Sequence, residues 1–305
     1  MLKIDTLALL KEVLPKDSIS VNEPMSSHTS FRLGGNARFF VTPCKDEVAP
    51  LINVLRANDE NYIVIGNGSN LLVSDAGFDG TVVCIGRNMS HAEVNGDKII
   101  AMAGTLLSRI ASLALKNSLT GFEFASGIPG SLGGAVVMNA GAYGGEMKDV
   151  VLKTEYVSAN GEIKTVEGDG HGFGYRKSIF NRDDVILSSE IQLRHGNYEE
   201  IKAVSDDLNA RRRDKQPLEY PSAGSTFKRP EGHFAAKLID DAGLRGYKVG
   251  GAMVSKKHCG FVINYDNASA MDVFNLMKDV KNIVCDKFGV TLEPEVRFIG
   301  DFPDF

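Results

Sequence analysis

The chain has 305 residues, room for roughly two domains at about 150 residues each, and its 34 Lys and Arg against 39 Asp and Glu give a formal charge of −5. With 43% hydrophobic and 24% charged residues this is an ordinary globular composition, which excludes a disordered chain. It also argues against a broad basic surface for nucleic acid or anionic lipid, while leaving room for one local basic pocket. Cys44, Cys84, Cys259 and Cys285 form no CxxC pair, and the six histidines show no HxH or HxxxH spacing. A zinc site or a disulfide framework is therefore not expected, and the thiols read as small buried hydrophobes in a reducing compartment.

Leu7, Leu10, Val13 and Leu14 fall at helical spacing before Pro15. Charges interrupt this amphipathic stretch and no small-residue cleavage site follows, so it does not read as a signal peptide. No apolar run approaches the ~18 residues of a membrane span; a soluble, cytoplasmic protein is expected. Residues 39–41 read as a strand, and 45–57 as a helix with Val48, Leu51, Ile52 and Leu55 on one face. The β-branched run 62–65 is a strand delivering a Gly-Asn-Gly loop. Strands follow at 81–85 and 98–102, and a helix is marked by Leu106, Ile110, Leu113 and Ala114. Residues 156–166 read as a hairpin turning at Asn160-Gly161, and 185–193 as a strand. A charged helix over 198–213 should turn Ile201, Val204 and Leu208 inward. After Pro217 and Pro221 come a strand near Ser225, a helix from Phe234, strands near Ala252 and Phe261, a long helix over 271–288 and a strand over 292–299. The composition shift sets a domain boundary between about 200 and 220.

Glycine, at 32 residues, exceeds the usual share of about 7%. The excess is clustered. Gly66-Asn67-Gly68-Ser69-Asn70 follows a strand, and its successive amides suit either an anion-binding nest or a tight turn. Gly127, Gly130, Gly133, Gly134, Gly141, Gly144 and Gly145 crowd one stretch, around a short apolar centre at 135–138. That is either a second ligand loop or close backbone packing. No Gly-Lys dipeptide exists for a P-loop, no GxGxxG follows a strand, and neither GxSxG nor HExxH occurs. Arg176, after a glycine-studded segment, is either a fork for a carboxylate or a solvated charge. Ser225, beside Gly224, reads as a turn serine or as a hydroxyl that a ligand can approach. Glu295 and Arg297 share one face of the late strand, as ion-pair partners or as site residues.

Taken in order, TSFRLGGNARF (29–39), IGNGSNLLV (65–73), GIPGSLGGAVVMNAGAYGGE (127–146), YRKSIF (175–180), AGSTF (223–227) and LEPEVRFIG (292–300) resemble the UDP-N-acetylenolpyruvoylglucosamine reductase family, from about residue 20 onward. The resemblance implies an α+β fold: an FAD-binding domain of the vanillyl-alcohol oxidase/PCMH type in two subdomains, residues 1–80 and 81–205, and a C-terminal α+β substrate-binding domain, 206–305. The final strand would return toward the flavin site. The chain resembles the shorter branch of the family, which lacks a tyrosine capping loop.

The resemblance further implies bound FAD, NADPH as hydride donor, and UDP-N-acetylglucosamine enolpyruvate as substrate, reduced to UDP-N-acetylmuramate in peptidoglycan precursor synthesis; no nucleic-acid, membrane or metal partner is expected. It assigns Arg176, Ser225 and Glu295 to catalysis, with Ser225 giving the proton and Arg176 and Glu295 stabilising charge. It assigns Gly66, Asn67, Gly68, Ser69, Asn70, Gly127, Pro129, Gly130, Gly133, Gly134, Ala135 and Asn139 to the cofactor, and Tyr175, Lys215, Arg229 and His258 to substrate. Lys215 would acidify Ser225 or hold the diphosphate. The rivals are another FAD-dependent sugar or lactone oxidoreductase and a non-catalytic nucleotide-sugar binder.

Overall fold

In a computed structural model, which describes residues 5–305, the chain divides into two compact units. The first takes the described residues up to Val21 together with 39–67 and 80–211; the second takes 22–38, 68–79 and 212–305.

In the first unit, the helix Lys45–Ala57 buries Val48, Leu51, Ile52 and Leu55, the face its apolar spacing predicts. The Glu47 carboxylate closes its N-terminus by accepting from the Cys44 N–H at 2.7 Å. Cys44 itself is exposed, unlike the buried thiol expected, because it stands at this helix entry. A four-stranded sheet, to which this unit gives 19–21, 39–41, 62–65 and 80–84, has the order Ile19–Pro24, Asn36–Val41, Phe78–Cys84, Tyr62–Ile65, and Tyr62–Ile65 runs parallel to its neighbour. A second, five-stranded sheet is antiparallel throughout, in the order Ile163–Glu167, Val151–Val157, Val185–Gln192, Lys98–Met102, Ala92–Asn95. Its first hairpin turns at Asn160-Gly161, where Gly161 adopts φ 77° and donates to the Ser158 carbonyl at 2.7 Å. The helices Leu107–Lys116 and Leu132–Val137 pack on this sheet. The second of them is the apolar centre of the glycine-rich stretch, and it is only six residues long.

The second unit draws on three distant stretches of chain. Leu71–Val73 pairs in parallel with Arg297–Ile299. Lys248–Val249, Ala252–Val254 and Val262–Asn264 form an antiparallel sheet, with the helices Ala235–Asp241 and Ala270–Phe288 against it or beside it. The Asp75 carboxylate accepts from the first amides of Ala270–Phe288, at 2.8 Å from Ala270 and 3.0 Å from Met271, where the helix dipole favours negative charge. Ser269 and Asp272 form a capping box at the same end, and Gly289 at φ 66° closes the other. Phe31, Leu72, Phe227, Phe274, Met277, Leu292 and Val296 build the core.

Three expectations are corrected. The charged helix runs Tyr198–Lys215, and Val204 on it is 49% exposed. Residues near Ser225 make two isolated bridges, Ser222 opposite Ile263 and Phe227 opposite Pro294, and no strand. Ladder pairing in the final segment is confined to Arg297–Ile299; Pro294, with no N–H, delays its start.

Candidate active site

In the first unit the two glycine loops meet. A Cβ on Gly66 would lie 2.4 Å from the Ser131 hydroxyl, so any side chain there would force that hydroxyl to turn away. The Gly66 carbonyl takes the Cys84 thiol as a weak donor at 3.9 Å, and burial pushes that thiol up to about 11, which keeps its proton in place. Ser131 is 3% exposed, yet among the described residues its Oγ has no hydrogen-bond partner. A buried hydroxyl left so costs on the order of 1–3 kcal/mol. A cradle bare of side chains beside an unspent donor fits a flat, polar ligand such as a dinucleotide.

The predicted cofactor residues divide on inspection. Gly127, Gly130 and Gly134 are at least partly open, and Pro129 is exposed. Gly133 is buried: its amide donates to the Ala103 carbonyl at 2.8 Å, and a Cβ there would meet Ala103 at 3.0 Å. Ala135 is 5% exposed. Asn67 is exposed and Ser69 half-buried. Gly68, in the second unit, has φ 62°, and a Cβ there would strike the His28 carbonyl at 1.9 Å. Asn70 donates from Nδ2 to the Glu295 carbonyl at 3.0 Å, and its own carbonyl accepts from the Arg297 amide at 3.0 Å. Asn139, 1% exposed, turns its amide wholly inward. Gly133, Asn70 and Asn139 thus spend amide or side-chain groups inside the protein.

Tyr175 and Arg176 form the tip of a tight turn in the first unit. Gly174 donates to the Lys177 carbonyl at 2.9 Å, and Lys177 returns a bond to Gly174 at 3.2 Å. Arg176 has φ 53°, a left-handed conformation unusual for a long side chain. Its guanidinium lies 5.3 Å from the centre of the Tyr175 ring.

Ser225 and Glu295 lie on neighbouring segments of the second unit. Thr226 is pinned on three sides. Its amide donates to Gly260 at 2.8 Å, its hydroxyl accepts from the Val262 amide at 2.9 Å, and its carbonyl accepts from the Glu295 amide at 2.9 Å. Thr226 is 1% exposed, while the preceding Ser225 is exposed. Glu293 is drawn aside into an ion pair with Lys228 at 3.1 Å.

Lys215 and Arg229 are exposed, and Arg229 stacks over the Phe234 ring at 4.0 Å. His258 is half-buried. Burial, reinforced by the charges of Arg245 and Lys215, pushes its pKa down. Its Nδ1 accepts from the Gly260 amide at 3.1 Å, so the neutral ring carries its proton on Nε2. Sequence reasoning missed Ser131 and the part Thr226 plays between three segments. A serine inside a glycine motif was the one available signal.

The paired sheets and the bare two-loop cradle define a protein of the FAD-binding class, and residues 38–167 match the FAD binding domain family. Residues 216–299 match the family described as UDP-N-acetylenolpyruvoylglucosamine reductase, C-terminal domain. The chain is 52% identical, over 96% of its length and 97% of the relative's, to the UDP-N-acetylenolpyruvoylglucosamine reductase of Caldanaerobacter subterraneus subsp. tengcongensis. The crystal structure of UDP-N-acetylenolpyruvylglucosamine reductase from Thermus caldophilus superposes with a TM-score of 0.79 at 33% identity, covering 92% of this chain and 98% of that one. A Phl p 4 variant, a glucose oxidase, reaches a TM-score of 0.53 at 13% identity over 94% of this chain and 64% of its own, a likeness of fold alone. The chain belongs to the UDP-N-acetylenolpyruvoylglucosamine reductase family. Its fold is the expected α+β one, an FAD-binding domain followed by a C-terminal α+β domain. Among the described residues no helix is long and apolar enough to cross a membrane, and no cluster of His, Cys, Asp and Glu would hold a metal ion.

Proposed function

We propose that the protein reduces the enolpyruvyl ether of UDP-N-acetylglucosamine enolpyruvate to UDP-N-acetylmuramate with NADPH, in the cytoplasm, as a step of peptidoglycan precursor synthesis. Residues 1–80 and 81–205 serve as two flavin-binding subdomains, and 206–305 as the substrate-binding domain. The observation that carries the reading is the Gly66–Ser131 cradle, in a chain with this family's full-length similarity. Gly66, Asn67 and the open residues of 127–134 are the groups that would hold FAD, with Ser131 as a donor.

FAD, held by Gly66, Asn67 and the open residues of 127–134, would supply two-electron chemistry between NADPH and the enolpyruvyl group. The chain's own residues manage the charge and the proton. As hydride arrives, negative charge grows on the adjacent carbon and spreads into the carboxylate. The Arg176 guanidinium forks onto that carboxylate with two parallel N–H donors. Glu295 stabilises the same developing charge as a hydrogen-bonding acid. Ser225, lifted outward by the pinned Thr226, delivers the proton to carbon, and the double bond becomes a lactyl ether. A serine hydroxyl is a weak acid, and Lys215 either acidifies it or holds the substrate diphosphate. Tyr175, Arg229 and His258 contribute further substrate contacts, His258 as a neutral Nε2–H donor.

The experiment is a pair of half-reactions. The purified protein is expected to be yellow with FAD, to bleach with NADPH, and to recolour on adding UDP-N-acetylglucosamine enolpyruvate under anaerobic conditions. Recolouring by oxygen with turnover of a free sugar, and not by the enolpyruvyl substrate, would replace this reading with that of a sugar oxidase. Substrate binding without NADPH consumption would replace it with that of a binding protein.

A further inference from the structure

The turn that carries Arg176 is held in a conformation its own sequence disfavours. Its second central residue is left-handed, a place where glycine or asparagine is usual and a long branched cation is not. Such a conformation persists only where the surroundings over-determine it. Two side chains do so here. Asn139 donates from Nδ2 to the Gly174 carbonyl at 3.0 Å, directly before the turn. The same amide donates to Glu146 Oε2 at 2.8 Å, and its Oδ1 accepts from the Lys148 amide at 2.9 Å. Ser178, just after the turn, donates to the Val137 carbonyl at 2.7 Å. Both clamps reach the segment that follows the second glycine loop. The Glu146 carboxylate is in turn held below the ordinary carboxylate range, first by its bond to Lys148 and then by the Asn139 amide, with Arg176 adding to the effect from further off.

We infer that Asn139 is a positioning residue for Arg176. It fixes the direction of the guanidinium by tying Gly174 to Glu146 and Lys148, and it acts on substrate only through that arginine. The inference rests on the reading of Arg176 given above. It assigns Asn139 a purpose other than cofactor contact, consistent with its 1% exposure.

The test uses the FAD-loaded full chain and the variants Asn139→Gly, Ser178→Ala, Arg176→Ala and the double variant Asn139→Gly/Arg176→Ala. Glycine accepts the φ of 42° at position 139, so that substitution removes the amide without straining the backbone. Calorimetry gives the affinity of the oxidised enzyme for UDP-N-acetylglucosamine enolpyruvate. Stopped flow gives each half-reaction, and amide exchange reads residues 174–177. Asn139→Gly is expected to weaken substrate affinity by about tenfold, to speed exchange across the turn, and to leave flavin content and bleaching by NADPH unchanged. In the Arg176→Ala background it should cost nothing further, because the group it positions is gone. Additive losses in the double variant, or an equal fall in NADPH bleaching, overturn the inference. If Asn139→Gly does not fold, Ser178→Ala decides by the same criteria, with a smaller loss. Weak binding by Arg176→Ala beside an intact Asn139→Gly removes the positioning role alone. Full affinity in Arg176→Ala removes the reading of Arg176, and the positioning role with it.

Discussion

Ser225 illustrates how a weak acid is presented. It stands exposed because its neighbour Thr226 gives its amide, hydroxyl and carbonyl to three different segments. Replacing Ser225 with Ala should leave bleaching by NADPH near normal and slow the enolpyruvyl half-reaction by about 10²–10⁴, the usual worth of a general acid. Equal loss in both halves would make Ser225 structural. Arg176→Lys should also slow the second half-reaction, since an ammonium cannot reproduce a planar fork, and rapid-mixing kinetics would show it. At Gly66 the forecast is steric. Gly66→Ala puts a methyl 2.4 Å from the Ser131 hydroxyl, so the purified variant should carry less flavin per chain, read from its visible-to-ultraviolet absorbance ratio. At this scale the sequence was eloquent about residue type and silent about partners. Spacing could mark Glu293 and Glu295 as candidates, and the family resemblance alone favoured Glu295; the structure adds that Glu293 pairs with Lys228.

Among elements, periodicity located the helices and the Asn160-Gly161 hairpin within a residue or two. It was less informative where packing follows no period. The six-residue helix Leu132–Val137 hides inside a glycine run, and the two-residue Tyr175-Arg176 turn leaves no pattern at all. A buried histidine joins two of these elements. His171 donates from Nδ1 to the Gly168 carbonyl and accepts from the Thr154 hydroxyl at Nε2, each at 2.9 Å, and it stacks on Phe173. Burial lowers its pKa below the ordinary 6.5. The unfolded chain therefore binds this proton more readily than the folded one. The stability it contributes is complete above 6.5 and is lost as the pH falls from there through the lowered folded-state value. Melting temperature should decline from pH 7 toward pH 5, and His171→Gln should flatten the decline. An unchanged slope would place the acid sensitivity elsewhere, with His258 shifted in the same direction as the next suspect.

On the scale of the whole molecule, the composition shift near 200–220 announces a change of environment, and the second unit's main segment begins at 212. Nothing in the local pattern revealed that 22–38 and 68–79 belong with that segment, because strand pairing between distant stretches is written in no single window. The Asn70 side chain is one of the ties across this gap, bonding Glu295 over a separation of 225 positions. Asn70→Ala should lower stability by ~1 kcal/mol, the net worth of a typical hydrogen bond, measured as a shifted urea midpoint at constant slope. A loss of flavin at unchanged midpoint would instead assign the residue to cofactor binding. The same architecture constrains how the polypeptide is made. A ribosome releases Leu71–Val73 long before Arg297–Ile299 exists to pair with it, so that short apolar stretch must wait through most of translation with its ladder partner still unsynthesised. Newly made chains should consequently depend on a holding chaperone during elongation, more than a protein whose domains mature one after another along the message.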